Sequence, residues 1–244
     1  MIKYSLIVLL IGLFSCGIYR QNVVNAPLMQ QKGQTQLSSH ISFNGLEGQA
    51  AYGLTNKIAF LANYSDMGLK KTEYSSFNYE TRKHHFKEIG AGVYKKTASG
   101  KIRELFVFVG KGMTSHFVMG KNSAGVISST NQEVEYSRFV VQADLGNKNK
   151  KVEYIITPRL LAVNYYSIED NARSDYQNLS NFHIYAEGAV TLRYPILKFL
   201  MISGQACATL PLTHSGGYNY YYNFSPFNGS IGLIFNIHLL KPDK

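Results

Sequence analysis

Seven charged residues recur on the polar side of segments in which polar and apolar residues alternate, and they are the first candidates for chemistry. They are Glu88, Glu104, Arg138, Asp144, Arg159, Glu187 and Arg193. Paired carboxylates can perform general acid–base catalysis, and rings of charged side chains can line a path for ions. Inside a narrow barrel, however, opposite charges bind one another, because an unpaired buried charge is costly. We interpret the seven residues as a structural polar cluster and predict no catalytic residue.

Cys16 is the other residue with a defined chemistry. Residues 1–15 carry a basic Lys3 and an apolar run from Leu6 to Phe14 that is too short to span a bilayer. A small residue, Ser15, before a cysteine at the end of such a run is typical of bacterial lipoproteins, in which the thiol is acylated after cleavage. The alternative is an ordinary secretory signal with an incidental cysteine. In both cases the mature chain functions outside the cytoplasm.

Motifs of soluble enzymes and metal sites do not occur in the sequence. The histidines show no metal-ligand spacing, and there is no Gly-x-Ser-x-Gly, Walker loop or His-Glu-x-x-His motif. His84 and His85 are expected at a solvated loop end, with a pH-sensitive or metal-binding rim as the alternative. Cys207 has no second cysteine once Cys16 is acylated, so no disulfide is expected. We therefore predict no metal, no cofactor and no enzyme activity.

The composition indicates a β-rich exported protein. Of 244 residues only 16% are charged, whereas Tyr (18), Phe (14) and Gly (21) are plentiful. The net charge of +10 favours anionic lipid head groups as neighbours. No nucleic-acid-binding motif is present, so nucleic acid is not expected as a partner.

Residues 16–34 are polar without periodicity and are interpreted as a lipidated tether, and residues 241–244 as a C-terminal tail. Residues 35–240 are predicted to form one barrel domain, because alternating segments are separated by Gly, Asn, Ser and Lys clusters. The predicted fold is all-β, an antiparallel up-and-down transmembrane β-barrel of about ten strands, with eight as the alternative. The ten strands are expected near 35–43, 46–54, 58–66, 84–95, 102–113, 134–146, 151–166, 182–193, 198–211 and 228–239.

Long and short connections alternate along the chain, which is the arrangement of outer-membrane barrels. The expected long loops, which would face outward, are 67–83, 114–133, 167–181 and 212–227. The tight Asn44-Gly45 hairpin is the exception on that side. A lipid on Cys16 is expected on the periplasmic side, where the chain would start.

The alternation defines two faces of each strand. Phe139, Val141 and Leu145 share one face, and Arg138 shares the other with Gln142 and Asp144. A membrane barrel places the apolar face against lipid, whereas a soluble barrel places it inside. We expect the membrane arrangement. Four inward glycines are expected to make room for lumen side chains: Gly90, Gly92, Gly110 and Gly112.

Two exposed sets are candidates for recognition. Lys70, Lys71, Arg82 and Lys83 make the first long loop basic, which suits lipopolysaccharide phosphate or simple solvation. An aromatic cluster in the last long loop is expected to be an interfacial belt, with a sugar- or peptide-binding surface as the alternative. It comprises Tyr218, Tyr220, Tyr221, Tyr222, Phe224 and Phe227. Interfacial positions are also expected for Tyr154, Tyr165, Tyr166 and Tyr194.

A family resemblance rests on short motifs along the whole chain. The motifs are Cys16-Gly17-Ile18-Tyr19, Asn25-Ala26-Pro27-Leu28, Lys32-Gly33-Gln34, Gln49-Ala50-Ala51-Tyr52 and Glu88-Ile89-Gly90-Ala91-Gly92. Together they resemble the small outer-membrane β-barrel lipoproteins of Bacteroidetes, a family whose biochemical role is mostly unassigned. The resemblance implies a β-barrel in the outer membrane. The stretch Ser230-x-Gly232-x-x-Phe235-x-Ile237 resembles the last-strand signal for the barrel-assembly machinery.

The sequence therefore predicts a lipid-anchored, non-enzymatic outer-membrane barrel, whose long loops bind or shield. The alternatives are a narrow pore for a small solute, a soluble lipocalin-like lipoprotein that binds an apolar ligand, and a membrane-embedded enzyme. The expected partners are outer-membrane lipid, lipopolysaccharide and, during insertion, the barrel-assembly machinery. The protein is expected to be a monomer.

Overall fold

The computed structural model describes residues 19–68, 70–75, 78–121, 127–148, 151–170, 182–213 and 226–240. This part of the chain contains eleven strands and one short 3-10 helix at Ile237–Leu240. The strands are β1 (Thr35–Ser42), β2 (Gly45–Gly53), β3 (Ile58–Asp66), β4 (Lys70–Ser75), β5 (Asn78–Lys96), β6 (Lys101–Lys121), β7 (Ile127–Lys148), β8 (Glu153–Asp170), β9 (Phe182–Leu197), β10 (Leu200–Pro211) and β11 (Phe227–Asn236). Among the described residues, no helix is long and apolar enough to cross a membrane.

Ten of these strands close into an antiparallel barrel. Each strand pairs with its neighbours in the chain, β3 pairs directly with β5, and β1 pairs with β11 to close the circle. The short β4 pairs only with the outer part of β5. Closure satisfies the backbone of every barrel strand and leaves no free edge. The prediction of ten strands is confirmed, and the eight-stranded alternative is wrong.

The barrel wall is much taller on one side than on the other. Strands β1 to β3 have eight or nine residues, whereas β6 and β7 have 21 and 22. At about 3.3 Å per residue, β7 reaches about 70 Å, far more than a hydrocarbon core requires. Much of the predicted loops 67–83 and 114–133 is therefore strand, including all of β4. Their Thr, Ser, Tyr and Val residues suit extended strands, so the prediction of irregular loops is wrong for these residues.

The outer face of the barrel is apolar and the inner face is polar. Phe139, Val141 and Leu145 are 48%, 37% and 49% exposed, whereas Arg138 and Asp144 are buried in the lumen. The same alternation runs through β9 and β11. A soluble ligand-binding barrel has the opposite arrangement, so this alternative is wrong. A contiguous exposed apolar surface of this kind is typical of contact with lipid.

The last strand ends earlier than expected. β11 ends at Asn236, whose N–H donates to the carbonyl of Phe199 (2.8 Å), and the chain then turns into the 3-10 helix. The side chain of His238 lies 3.4 Å from the carbonyl of Thr35 at the start of β1. The end of the chain is thereby fixed beside the seam at which β1 and β11 close the barrel. The predicted tail, residues 241–244, lies outside the described residues.

Candidate functional site: the filled lumen

The N-terminal segment lies inside the barrel. Residues 19–29 are buried throughout, and Gln34 is buried as well. The expectation that residues 16–34 form a tether is therefore wrong for the described part, residues 19–34. The segment is extended without a ladder of its own, so its sequence lacks the periodicity that would indicate structure. Cys16 and the signal sequence lie outside the described residues.

The segment crosses the lumen from one end to the other. The short turns, which connect β2 to β3, β5 to β6, β7 to β8 and β9 to β10, lie at one end of the barrel. At this end, the N–H of Gly33 donates to the carbonyl of Gly53 (2.7 Å). At the opposite end, the carbonyl of Gln21 accepts from Asn44, at the tip of the β1–β2 hairpin (2.8 Å), and from Asn228 (3.0 Å). The described residues thus place Gln21 at the long-loop end and Gly33 at the short-turn end. The side of the membrane on which a lipid on Cys16 lies stays a prediction.

Side chains of the wall satisfy the backbone of the segment. Glu47 accepts from the N–H of Val23 through both carboxylate oxygens (2.9 and 2.8 Å). Gln205 accepts from the N–H of Val24 (2.7 Å) and donates to its carbonyl (3.0 Å), as a neighbouring strand would. Gln142 donates to the carbonyl of Asn25 (2.8 Å). Buried amides need such partners, so these lumen groups are placed to hold a peptide.

A bend in the segment is fixed at Leu28. Its φ of 54° lies in the left-handed region, which disfavours a leucine by about 1–2 kcal/mol. The carboxylate of Glu104 accepts from the N–H groups of Leu28 and Met29, and Arg193 donates to the carbonyl of Ala26. The side chain of Leu28 fills the space above Gly146, where an added Cβ would lie 2.3 Å from Leu28 Cδ2. The wall therefore compensates for the strained conformation.

Four of the seven predicted cluster residues form one ion-pair network. Arg138 Nη2 lies 2.7 Å from Glu88 Oε2, and Arg159 lies 3.1 Å from Glu187 and 3.7 Å from Glu88. Tyr19 of the N-terminal segment donates to Glu187 (2.8 Å) and accepts from Arg138 (3.0 Å). All five side chains are buried. The network joins the segment to the wall, which favours the structural interpretation over an ion path.

The other three cluster residues lie nearer the short turns. Glu104 and Asp144 are directly opposite each other on β6 and β7, and both are buried. Asp144 accepts from Gln142 and from Thr157 (2.7 Å). Glu104 is occupied by the N-terminal segment, and Arg193 lies 3.9 Å from Glu153. Hydrogen bonds to protein groups thus account for both carboxylates, although their opposition would suit acid–base chemistry.

Aromatic rings fill the lumen towards the long-loop end. Tyr19 stacks on Tyr185 with ring centroids 4.8 Å apart, and His84 lies 2.9 Å from the hydroxyl of Tyr136. The rings lie over the inward glycines: a Cβ added at Gly112 would come within 2.3 Å of Tyr136. Equivalent contacts join Gly90 to Phe108, Gly92 to Phe106 and Gly110 to Phe86. The predicted role of the four glycines is confirmed.

Some predicted surface residues belong to this aromatic layer. Tyr165 is fully buried in the lumen, so its predicted interfacial position is wrong, and so is a solvated loop end for His84. Their strand position, and not their residue type, directs these side chains inward. The other three predicted interfacial tyrosines are exposed: Tyr154, Tyr166 and Tyr194. The sequence offered one signal for the layer, the inward glycines.

The remaining rim candidates are only partly described. Arg82 pairs with Glu80, which also contacts His116. The side chains of Lys70 and Lys71, and most of the aromatic cluster from Tyr218 to Phe224, lie outside the described residues. Within the described part of the chain, no group of three or more His, Cys, Asp or Glu side chains could hold a metal ion.

Comparison with known proteins finds similar barrels at low identity. No protein-family model and no curated protein matches the chain. The translocator domain of the autotransporter NalP from Neisseria meningitidis has 12% identity and a TM-score of 0.47, covering 84% of this chain and 86% of its own. The NanC porin has 12% identity and a TM-score of 0.33, covering 83% and 100%. CarO of Acinetobacter baumannii has 8% identity and a TM-score of 0.26, covering 87% and 100%. The resemblance to Bacteroidetes lipoproteins stays a prediction.

Proposed function

We propose that this chain is a closed, non-enzymatic barrel of the bacterial outer membrane that is anchored by a lipid. The end of the barrel from which the long strands project would face the exterior. The observation that carries the proposal is the filled lumen. The N-terminal segment occupies the barrel from Gly33 to Tyr19, and aromatic rings pack around and beyond Tyr19. A barrel of ten strands has room for little besides side chains, so one extended peptide is enough to close it.

Conductance in planar bilayers tests the closed barrel. The full chain is expected to give no channel steps, whereas deletion of residues 19–32 is expected to produce them. Replacement of the exposed Lys32 alone is the matched control and should stay silent. Heat-modifiable gel migration shows whether each variant is folded. Steps of equal size in the full chain and the deletion variant would favour the alternative, a narrow conduit for a small solute.

The direction of the N-terminal segment supports a lipid on the long-loop side. Gln21 is held at the β1–β2 hairpin tip, and eleven residues lie between it and Gly33 at the other end. Cys16 is only five residues upstream of Gln21, a reach of at most about 18 Å. Those five residues are too few to return through an occupied lumen. A Cys16→Ala variant should lose fatty-acid labelling and still insert, because strands span the membrane. Undiminished labelling would refute acylation at this residue.

The proposed partners follow from the surface. Exposed apolar side chains such as Val141 suit lipid tails, and the basic side chains of the tall side suit lipopolysaccharide phosphate. A closed wall without an unpaired edge supports a monomer. Insertion would depend on recognition of β11 by the barrel-assembly machinery. We propose no catalytic activity because the lumen carboxylates already form hydrogen bonds or ion pairs with other groups of the protein.

A further inference from the structure

The charge of the protein is concentrated at the end of the barrel with the short turns. The described residues of this end expose nine basic side chains, whereas the carboxylates Glu104, Asp144 and Glu153 at this end are buried. The basic residues are Lys32, Lys57, Lys95, Lys96, Lys101, Arg103, Lys148, Lys151 and Lys198. Such a positive rim attracts anionic groups at the membrane surface.

Two of these cations face each other without a carboxylate between them. Lys95 of β5 and Arg103 of β6 are directly opposite in the register, and Lys57 lies beside them because its carbonyl accepts from the N–H of Tyr94 (2.9 Å). Within the described chain, none of the three forms an ion pair with a carboxylate. Like charges opposite each other on adjacent strands are destabilising unless an anion joins them.

A cleft of about 690 Å³ opens at this place. Lys57, Lys95 and Arg103 line it together with two apolar side chains, Val93 and Leu105. The lining also includes Glu104, whose carboxylate accepts hydrogen bonds from the N–H groups of Leu28 and Met29. Val93 and Leu105 are opposite each other one outward step closer to the middle of the barrel wall, and they are 53% and 50% exposed. The cleft therefore has an apolar wall on the membrane side and a cationic wall on the aqueous side.

We propose that this cleft binds the phosphate of an anionic phospholipid in the leaflet on the short-turn side. The guanidinium of Arg103 would bind phosphate oxygens in a bidentate manner, and the two lysines would add point charges. The acyl chains would lie against Val93 and Leu105. A free phosphate would use the cations but would gain nothing from the apolar wall, so the geometry favours the lipid. The proposal rests on the membrane placement proposed above.

The natural chain has no tryptophan, so a single Trp reports on its lipid neighbours. Leu105→Trp places the probe at the cleft, and Leu192→Trp is the matched control. Leu192 is also an outward apolar side chain, at 54% exposure, and the next outward residue towards the turns is Tyr194. Each variant of the full chain is reconstituted in phosphatidylcholine bilayers with a minor fraction of brominated phosphatidylglycerol or brominated phosphatidylcholine, and quenching is compared.

Phosphatidylglycerol is expected to be enriched over phosphatidylcholine about fivefold at Leu105→Trp, with no enrichment at Leu192→Trp. The added pair Lys95→Gln and Arg103→Gln should abolish the enrichment, whereas Lys151→Gln with Lys198→Gln, which removes equal charge elsewhere, should preserve it. Equal quenching by the two lipids at Leu105→Trp would overturn the site and leave the membrane placement intact. Quenching by neither lipid at both probes would overturn the membrane placement itself. Loss of enrichment on addition of inorganic phosphate would identify a general phosphate site and refute the preference for lipid.

Discussion

Glu88 and Arg138 form a buried ion pair across an intervening strand. Their atoms Oε2 and Nη2 are 2.7 Å apart, although β6 lies between their strands. Gly110 of β6 is opposite both residues in the register and carries no side chain to separate them. The guanidinium also lies 4.0 Å above the ring of Phe86. Gly110 thus allows Glu88 and Arg138 to form their ion pair at the centre of the lumen.

Removal of one partner of this pair should cost far more than removal of both. Arg138→Ala leaves the carboxylate of Glu88 buried with only a more distant cation, Arg159 at 3.7 Å. The substitution should lower the free energy of unfolding by about 3–5 kcal/mol. Addition of Glu88→Gln should recover part of that loss, because no uncompensated charge then remains. The free energy of unfolding in urea, followed by gel mobility in detergent, measures both effects.

A surface ion pair is the control for this experiment. Lys111 and Glu135 are 3.4 Å apart and largely exposed, so Lys111→Ala should cost about 0–1 kcal/mol. If Arg138→Ala were as mild as this control, the buried pair would contribute little. If the double variant were no more stable than Arg138→Ala, a different carboxylate would be the partner.

The inward glycines should tolerate no side chain where an aromatic ring covers them. Gly112→Ala would place a Cβ 2.3 Å from the ring of Tyr136 and should destabilise by about 1–3 kcal/mol. Gly188→Ala is the matched control, because nothing lies within 4 Å of its added Cβ. The control should change stability by less than about 0.5 kcal/mol, as neutral substitutions do. Equal effects of the two substitutions on urea unfolding would contradict the packing of Tyr136 above Gly112.

The strands and their two faces could be predicted because polar and apolar residues alternate along each strand with a period of two. Arg138, Gln142 and Asp144 alternate with Phe139, Val141 and Leu145, and this pattern is enough to place each side chain. The pattern could not decide which face meets water, since both kinds of barrel share it. The structure decides this, because the charged face is the enclosed one.

The contents of the lumen could not be predicted for two physical reasons. The segment from Tyr19 to Gln34 binds through side chains of the wall, so it needs no periodicity, and its residues suit solvent as well as a polar lumen. The pairing of Arg138 with Glu88 also could not be predicted, because the two residues lie two strands apart and only the register shows that Gly110 leaves the space between them open.

Low pH should destabilise the projecting sheet formed by β4 and the outer parts of β5 and β6. Burial raises the pKa of the Glu80 carboxyl, but Arg82 and then His116 outweigh it, and the net pKa lies below the ordinary value of a glutamate. A lowered carboxyl pKa stabilises the fold above the ordinary value, near pH 4.3, and the stabilisation is lost as the pH falls through the lowered value. The protection factors of the amides of residues 79–82, which correct for the intrinsic pH dependence of exchange, should therefore fall on acidification below about pH 4.

Glu80→Gln is the corresponding variant. It should exchange faster than the unchanged protein at neutral pH and should lose most of the acid dependence in these amides. Amides of the barrel wall, such as that of Val140, are the internal control and should not respond over the same range. The same acid dependence in Glu80→Gln as in the unchanged protein would assign the effect to another group.

Val141 should be in contact with hydrocarbon. A cysteine at this position should react with a lipid-soluble reagent and not with a water-soluble maleimide in the folded, membrane-embedded protein. The native thiol of Cys207 is buried and contributes little background. A cysteine at Lys111, whose side chain is 59% exposed on the projecting wall, should react with the maleimide. Ready maleimide labelling at 141 would refute the membrane placement of this face.

The two ends of the barrel should differ in exposure at the cell surface. The wall of β6 and β7 rises far above the β1–β2 hairpin, whereas Thr97–Lys101 forms a tight turn at the opposite end, where the N–H of Thr97 donates to the carbonyl of Lys101 (2.8 Å). A protease site inserted between β6 and β7 should be cut when protease is added to intact cells, and the same site inserted at Ser99 should be cut only after the outer membrane is opened. Short turns belong to the periplasmic end of such barrels, so the reverse pattern would invert the barrel. A lipid on Cys16, which we propose at the end with the long strands, would then lie on the periplasmic side.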